Sequence, residues 1–399
     1  MTTENTHKVP NVPPLRFPEF SEEWEESTIG KEFELYSGNT PSRLDKENFV
    51  GDINWITSGE LKEHYIGDTK EKISESSAKE NNLKLMPEGT FVIAIYGLEA
   101  EGVRSTGSIT TKRSTISQAC MAFTPQGDIS NEFLYSWYMK HGNVIGLRYA
   151  QGTKQQNLSY DIIEKFKLRY PHPIEQNKIT SFIALLDKRI STQNKIIQHL
   201  ESLIKGINEK VLWQYKSKVA LHEILKERNE RTTINNQHPV ISSTAKGLFL
   251  QSEYFDKEVA SADNVGYKVL RKGNIVLSPQ NLWLGNINYN DKYEIGIVSP
   301  SYKTFTISEE FNPFYVACLL RTYRALYEYA CVSEQGASVV RRNLDMEAFM
   351  EILFPMPSID EQNRIAEGLQ TIYKKLQVEK ALLDKYRVQK QYLLQQMFI

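Results

Sequence analysis

The chain has 399 residues, 40% of them hydrophobic, with 48 Lys+Arg against 49 Asp+Glu and a formal net charge of −1. That length exceeds one ordinary core and suits two domains of about 150 residues plus helices, while the composition excludes a disordered chain. The near-neutral balance also excludes a self-sufficient, strongly basic nucleic-acid binder, so any grip on phosphate has to come from local patches or from partner subunits.

Pro10, Pro13, Pro14 and Pro18 predict an extended N-terminal arm. Gly89-Thr90-Phe91-Val92-Ile93 reads as a glycine turn feeding a buried strand. The polar stretch from Gly102 to Gln118 carries Arg104, Ser105, Thr106, Thr110, Thr111, Lys112, Arg113, Ser114 and Gln118, the residue types that read base edges or hold phosphates. Asn131 is expected to cap an aromatic helix over 132–141, with Phe133, Trp137 and Tyr138 at helical spacing, as core residues are. Lys154, Gln155 and Gln156 form a second candidate polar loop.

After Glu175-Gln176-Asn177 the apolar residues Ile183, Leu186, Ile190, Ile197, Leu200 and Ile204 alternate steps of three and four, with one gap at Gln193. A sustained 3.5-residue period marks a coiled coil, whereas an isolated surface helix drifts toward 3.6.

The second half then says the same again, about 185 residues on. Gly273-Asn274-Ile275-Val276-Leu277 repeats the glycine turn and strand, followed by the polar residues Ser278, Gln280, Asn281, Trp283, Asn286 and Asn288, then Ser299 and Tyr302. Asn312-Pro313-Phe314 repeats the helix start, with Pro at the first helical position and an aromatic helix over 313–330. Gln335-Gly336 answers Gln151-Gly152, and Arg341-Arg342 stands beside Asn343-Leu344 as a positive doublet suited to phosphate. Glu361-Gln362-Asn363 opens a second heptad helix with Leu369, Ile372, Leu376, Leu383, Tyr386 and Leu393 on its seam and polar Glu379 and Lys390 among them. A duplication of this size predicts two similar domains joined by two similar helices.

Catalytic readings fail on the residues. Asn312-Pro313-Phe314 lacks the second proline of a methyltransferase loop, and no P-loop is present. Asp52 with Glu60-Leu61-Lys62 resembles nuclease carboxylates, but such tripeptides arise by chance in a chain that is 24% charged. The seven histidines show no metal-ligand spacing, so no metal site is expected. Cys120, Cys318 and Cys331 are scattered among apolar or aromatic neighbours, and neither a signal peptide nor a membrane span is evident; buried thiols in a cytoplasmic protein are expected.

Taken in order, Thr40 to Arg43 (TPSR), Ile53 to Leu61 (INWITSGEL), Ser114 to Cys120 (STISQAC), Gly152 to Ser159 (GTKQQNLS), Pro171 to Asn177 and their second-half echoes are similar to the specificity subunit of type I restriction-modification systems. The resemblance runs from about Leu15 to the C-terminus. It implies an α+β fold with two pseudo-symmetric target recognition domains, each followed by a long helix, the helices pairing as an antiparallel coiled coil. The implied divisions are 1–173 for the arm and first recognition domain, 174–217 for the first helix, 218–357 for the second domain and 358–399 for the second helix. It further implies a non-catalytic chain that reads a bipartite double-stranded DNA target and holds two DNA methyltransferase subunits and, through them, restriction subunits. S-adenosylmethionine, ATP and Mg would belong to those partners. A different class of function stays open on the residues alone: a scaffold whose duplicated domains bind protein and not DNA.

Overall fold

The computed structural model describes residues 11–97, 105–149, 156–254, 263–335 and 341–399. The chain divides into two compact units, residues 1–195 with 381–399, and residues 196–380. Each unit therefore takes half of each long helix.

In the first unit, β1 (Phe33–Ser37), β2 (Phe91–Ala94), β3 (Gly107–Thr110) and β4 (Cys120–Pro125) form an antiparallel sheet in the order β1-β4-β2-β3, with Tyr65–Ile66 added in parallel beside β3. All of β2 is buried, because it is covered on both faces. Phe91 and Ile93 pack with the helix α1 (Asn131–Tyr149), while Val92 and Ala94 meet Ile56 and Ile116 of a small second sheet. Strand Glu25–Thr28 pairs with Lys167–Tyr170, closing the domain just before the long helix α2 (Pro173–Val211).

The second unit repeats this plan. Strands β5 (Leu225–Arg228), β6 (Asn274–Leu277), β7 (Ile287–Tyr289) and β8 (Lys303–Ile307) run in the order β5-β8-β6-β7, the same permutation. Lys218–Ala220 pairs with Leu353–Pro355 as the closing pair. Phe123 in β4 and Phe305 in β8 hold matching places, each opposite the strand that follows the glycine turn. The expected helix over 313–330 is two helices, α3 (Pro313–Leu319) and α4 (Tyr323–Cys331). The Thr322 hydroxyl accepts from Ala325 N and so starts a new helix where one was expected to continue. Tyr315 and Tyr329 are buried in the core, whereas Tyr323 and Tyr327 are exposed. Cys120 and Cys318 are buried, but Cys331 is exposed at the end of α4, contrary to the expectation for all three thiols.

Both glycine turns need glycine. Gly89 has φ +81° and Gly273 φ +86°, and each N–H donates to the far strand, Gly89 to Thr110 O at 2.7 Å and Gly273 to Asn290 O at 2.8 Å. A side chain is strained there, so Gly273→Ala is expected to lower stability by about 1–2 kcal/mol, read as a shifted urea midpoint with unchanged slope.

The repeated EQN tripeptide is a latch. Gln176 Nε2 donates to Pro171 O at 2.9 Å and Asp128 O at 3.1 Å, and its Oε1 accepts from Ser130 N at 3.0 Å. Gln362 does the same with Pro357 O and Asn312 N, both at 2.9 Å. These bonds make Ser130 the counterpart of Asn312. The Ser130 hydroxyl accepts from Phe133 N at 3.2 Å, whereas Asn131 is the first helical residue and donates to Gly89 O, so the expected Asn131 cap moves back by one. Serine caps as well as asparagine does, which is why sequence could not separate them.

The helices pair antiparallel within each unit. In the first, Ile179, Ile183 and Leu186 of α2 share a core with Leu393, Leu394 and Met397 of α5 (Ile359–Met397). In the second, Ile207 and Val211 at the end of α2 share a core with Ile365 and Leu369 at the start of α5, and Asn208 Nδ2 lies 3.4 Å from the Tyr373 hydroxyl. Every seam residue expected from the heptads, Ile183, Leu186, Ile190, Ile197, Leu200, Ile204, Leu369, Ile372, Leu376, Leu383, Tyr386 and Leu393, is buried or half-buried. The polar gap residue Gln193 is buried too.

The proline-bearing arm is packed from residue 11 on. Arg16 forms a two-pronged pair with Glu175 (2.7 and 2.6 Å), Phe17 sits edge-on to Phe182 at 6.1 Å, and Leu15 N donates to Gln396 O at 3.0 Å.

Candidate nucleic-acid interface

In the first domain the candidates gather at the turn between β3 and the strand Ser114–Ile116. Lys112 and Arg113 are exposed on it. Arg113 pairs with Glu75 at 3.0 Å, with both side chains more than half exposed (62% and 67%), so water and salt leave that pair weak and the guanidinium available. Thr111 Oγ1 donates to Ile66 O at 3.3 Å, fixing the base of the turn. Thr110 and Ser114 do not face outward. Both are buried, with Thr110 Oγ1 on Pro87 O and Ser114 Oγ on Lys112 O, and Ser114 is paired with Asn54 on one side and Met86 on the other. Gln118 is exposed, and Ser105 and Thr106 are half-buried. Gln156 lies in the strand Gln156–Asn157, which pairs with Tyr96–Gly97. Arg104, Lys154, Gln155 and the Gln151-Gly152 and Gly336 landmarks fall outside the described residues.

In the second domain the structure brings one group together. The 3-10 turn over Pro279–Leu284 is crossed by the strand Arg342–Leu344. The Arg342 guanidinium lies 4.4 Å from the Trp283 ring centroid and donates to Ala330 O at 3.3 Å. This stack holds the strand on the turn, covers one face of Trp283, and makes Arg342 an anchor. Arg341 and Gln280 are exposed beside it, and Asn281 presents a buried Oδ1 with no hydrogen-bond partner among the described residues.

Ser299 and Tyr302 are not part of that group. Ser299 Oγ lies 2.9 Å from Ser301 Oγ, and the Tyr302 hydroxyl donates to Ser243 O at 3.3 Å, with burial pushing its pKa up. Asn286 and Asn288 are buried on Ser243, at 2.7 and 2.9 Å, and tie the hairpin 241–250 to β7. Ser278 is buried as well. Their polar character is structural, since buried amides have to find partners.

Sequence reasoning missed Arg321, which looks solvated in the sequence but donates to Asn288 Oδ1 and Ala245 O, each at 3.0 Å. Only the apposition of remote loops reveals it. Glu60, the carboxylate of the nuclease-like tripeptide, accepts from Thr57 N and Oγ1 at 2.9 and 2.8 Å and from Lys70 N at 2.8 Å, a complete capping role. Among the described residues no group of His, Cys, Asp and Glu is arranged to hold a metal ion, and no helix is long and apolar enough to cross a membrane.

Comparison with known proteins agrees with this duplicated plan. The sequence profile of the type I restriction modification DNA specificity domain matches residues 21–202 and again 222–385. The type I restriction enzyme MjaIX specificity subunit of Methanocaldococcus jannaschii is 26% identical over 185 residues, covering 45% of this chain and 42% of that one, so the match spans less than half of that relative. The MjaVIII specificity subunit of the same organism is 22% identical over 411 residues, covering 94% and 91%. The crystal structure of a type I restriction-modification S subunit from M. genitalium superposes with a TM-score of 0.57 at 16% identity, over 97% of this chain and 99% of that one, which is agreement of fold. With both halves matched by one family profile, the chain belongs to the type I restriction modification DNA specificity domain family.

Proposed function

We propose that this chain is the DNA sequence-specificity subunit of a type I restriction-modification complex, each recognition domain reading one half of a bipartite target in double-stranded DNA. The observation that carries the reading is the duplicated sheet, with one strand permutation, found in each unit beside antiparallel segments of the two long helices. The helices set the spacer between half-sites, and residues 1–173 and 218–357 serve as the two reading heads. The chain performs no chemistry itself. It recruits two DNA adenine methyltransferase subunits and, through them, restriction subunits, and those partners bind S-adenosylmethionine, ATP and Mg. Exposed apolar residues on the helices, Ile174, Phe182 and Leu185 on α2 and Val378 and Val388 on α5, support docking of further helices there.

Within the heads, Lys112 and Arg113 contact the first half-site, and Arg341 and Gln280 the second. Arg113→Ala is expected to weaken or relax recognition at the first half-site by about 1–3 kcal/mol and leave the second untouched, with Arg341→Ala doing the reverse. The measurement is binding of the assembled complex to duplexes altered in one half-site at a time, across a salt series. Equal losses at both half-sites, or no sequence dependence at any salt, contradict the reading.

A further inference from the structure

His64 was one of seven histidines with no pattern, yet it sits at a polar junction of the first unit. Its ring is sandwiched between Tyr65 and Tyr135, with centroids 4.1 and 4.0 Å away and planes within 7° and 5°. Nε2 lies 2.9 Å from Glu132 Oε2, and Nδ1 lies 3.0 Å from Asp187 Oδ2, a close charge contact more than an aligned hydrogen bond. Asp187 is held from its other side by Lys390 at 2.5 Å, whose ammonium also lies 5.6 Å from the Tyr135 ring. The His64 carbonyl accepts from Ile109 N at 2.8 Å, which fixes it to the sheet edge. One buried imidazole thus joins the recognition sheet, α1, α2 and α5.

The duplication supplies an internal control. Ser108 Oγ donates to Glu63 O, and its counterpart Asn288 Nδ2 donates to Thr244 O, which puts Ala245 in the place of His64. Counted from the two caps, Glu132 answers to Phe314 and Tyr135 to Ala317. Counted from the two EQN tripeptides, Asp187 answers to Tyr373 and Lys390 to Ile204. Every charged member is replaced by an uncharged residue, and in the second unit Ile204, Phe314, Ala317 and Tyr373 line a cavity of about 730 Å³.

We infer that His64 is a positioning residue: a charged plug, sandwiched by tyrosines, that locks the first recognition domain to both long helices, while the matching positions of the second unit carry no such cluster. Its consequence, a fixed first half-site reader, rests on the specificity-subunit reading; the lock itself does not. Burial alone would lower the His64 pKa, but the close contacts with Asp187 and Glu132 and their charges outweigh it, so the value is raised above 6.5. The stabilisation is therefore whole below 6.5 and is lost as pH climbs through the raised value. For Asp187, burial would raise the pKa but His64 and Lys390 outweigh it, so its share is intact above 3.8 and is lost only in acid. The remaining groups facing the ring are Tyr65, Tyr135 and Glu132, with Glu63 near Tyr135; the pKa values of both phenols are raised by burial.

The test is hydrogen exchange of the full chain without DNA, corrected for intrinsic rates, at about pH 6 and about pH 9. In the unmodified chain, protection of α1 and of residues 181–195 is expected to fall about tenfold at the higher pH, while 313–331 does not change. His64→Gln should show the low protection at both pH values. If that variant unfolds, the comparison in the unmodified chain decides alone. Equal protection at the two pH values in the unmodified chain overturns the lock, whether or not the chain reads DNA.

Discussion

Ile183→Asp is expected to cost roughly 4 kcal/mol or more and to unfold the first unit at moderate temperature. Ile183 is fully buried in α2, sharing a core with Leu393, Leu394 and Met397 of α5 and with Phe133 and Trp137 of α1. Truncation alone removes the packing of a core isoleucine, and the new carboxylate would be taken out of water among apolar side chains. Ile183→Val keeps the shape, loses one methyl group and should cost about 1 kcal/mol. Thermal unfolding followed by circular dichroism separates the two. Near-native melting of Ile183→Asp would mean that the helix seam does not bear the load assigned to it.

The second large effect belongs to the arm. Arg16 and Glu175 are both sequestered, with side chains 12% and 2% exposed, and their bonds are 2.7 and 2.6 Å long. The pair itself adds little net stability, because both charges gave up water to form it. Removing one partner is different, since Arg16→Ala strands a buried carboxylate at the first turn of α2 and should cost about 3 kcal/mol. The double variant Arg16→Ala/Glu175→Gln should recover a measurable part of that loss, because the stranded charge is gone. A double variant no better than Arg16→Ala would place the effect in the arm's other contacts, the packing of Phe17 and the Leu15 N–H bond to Gln396 O, and not in the charge.

The seam was legible because a heptad is a local, periodic signal: seven-residue spacing forces the same residues onto one face whatever the partner is. The glycine turns were legible for a similar reason, as Gly89 and Gly273 hold backbone conformations that few other residues tolerate. The candidate interface was read less well. Ser114 and Asn288 carry the side chains of base readers, yet Ser114 is bonded to the Lys112 carbonyl of its own turn and Asn288 to the Thr244 carbonyl of a remote hairpin. A polar residue looks the same in sequence whether it faces water or completes a buried network.

The sequence by itself determined the duplication, the strands after the two glycines, the two heptad helices and their seam, because each of these rests on spacing along the chain. Tertiary structure alone decided which polar residues stay exposed, that Arg342 is an anchor on Trp283 while Arg341 is exposed, and that His64 lies between two carboxylates and two tyrosines. The physical reason is separation: Glu132, Asp187 and Lys390 are far from His64 along the chain, and a charge cluster assembled from four elements leaves no periodic trace in any of them.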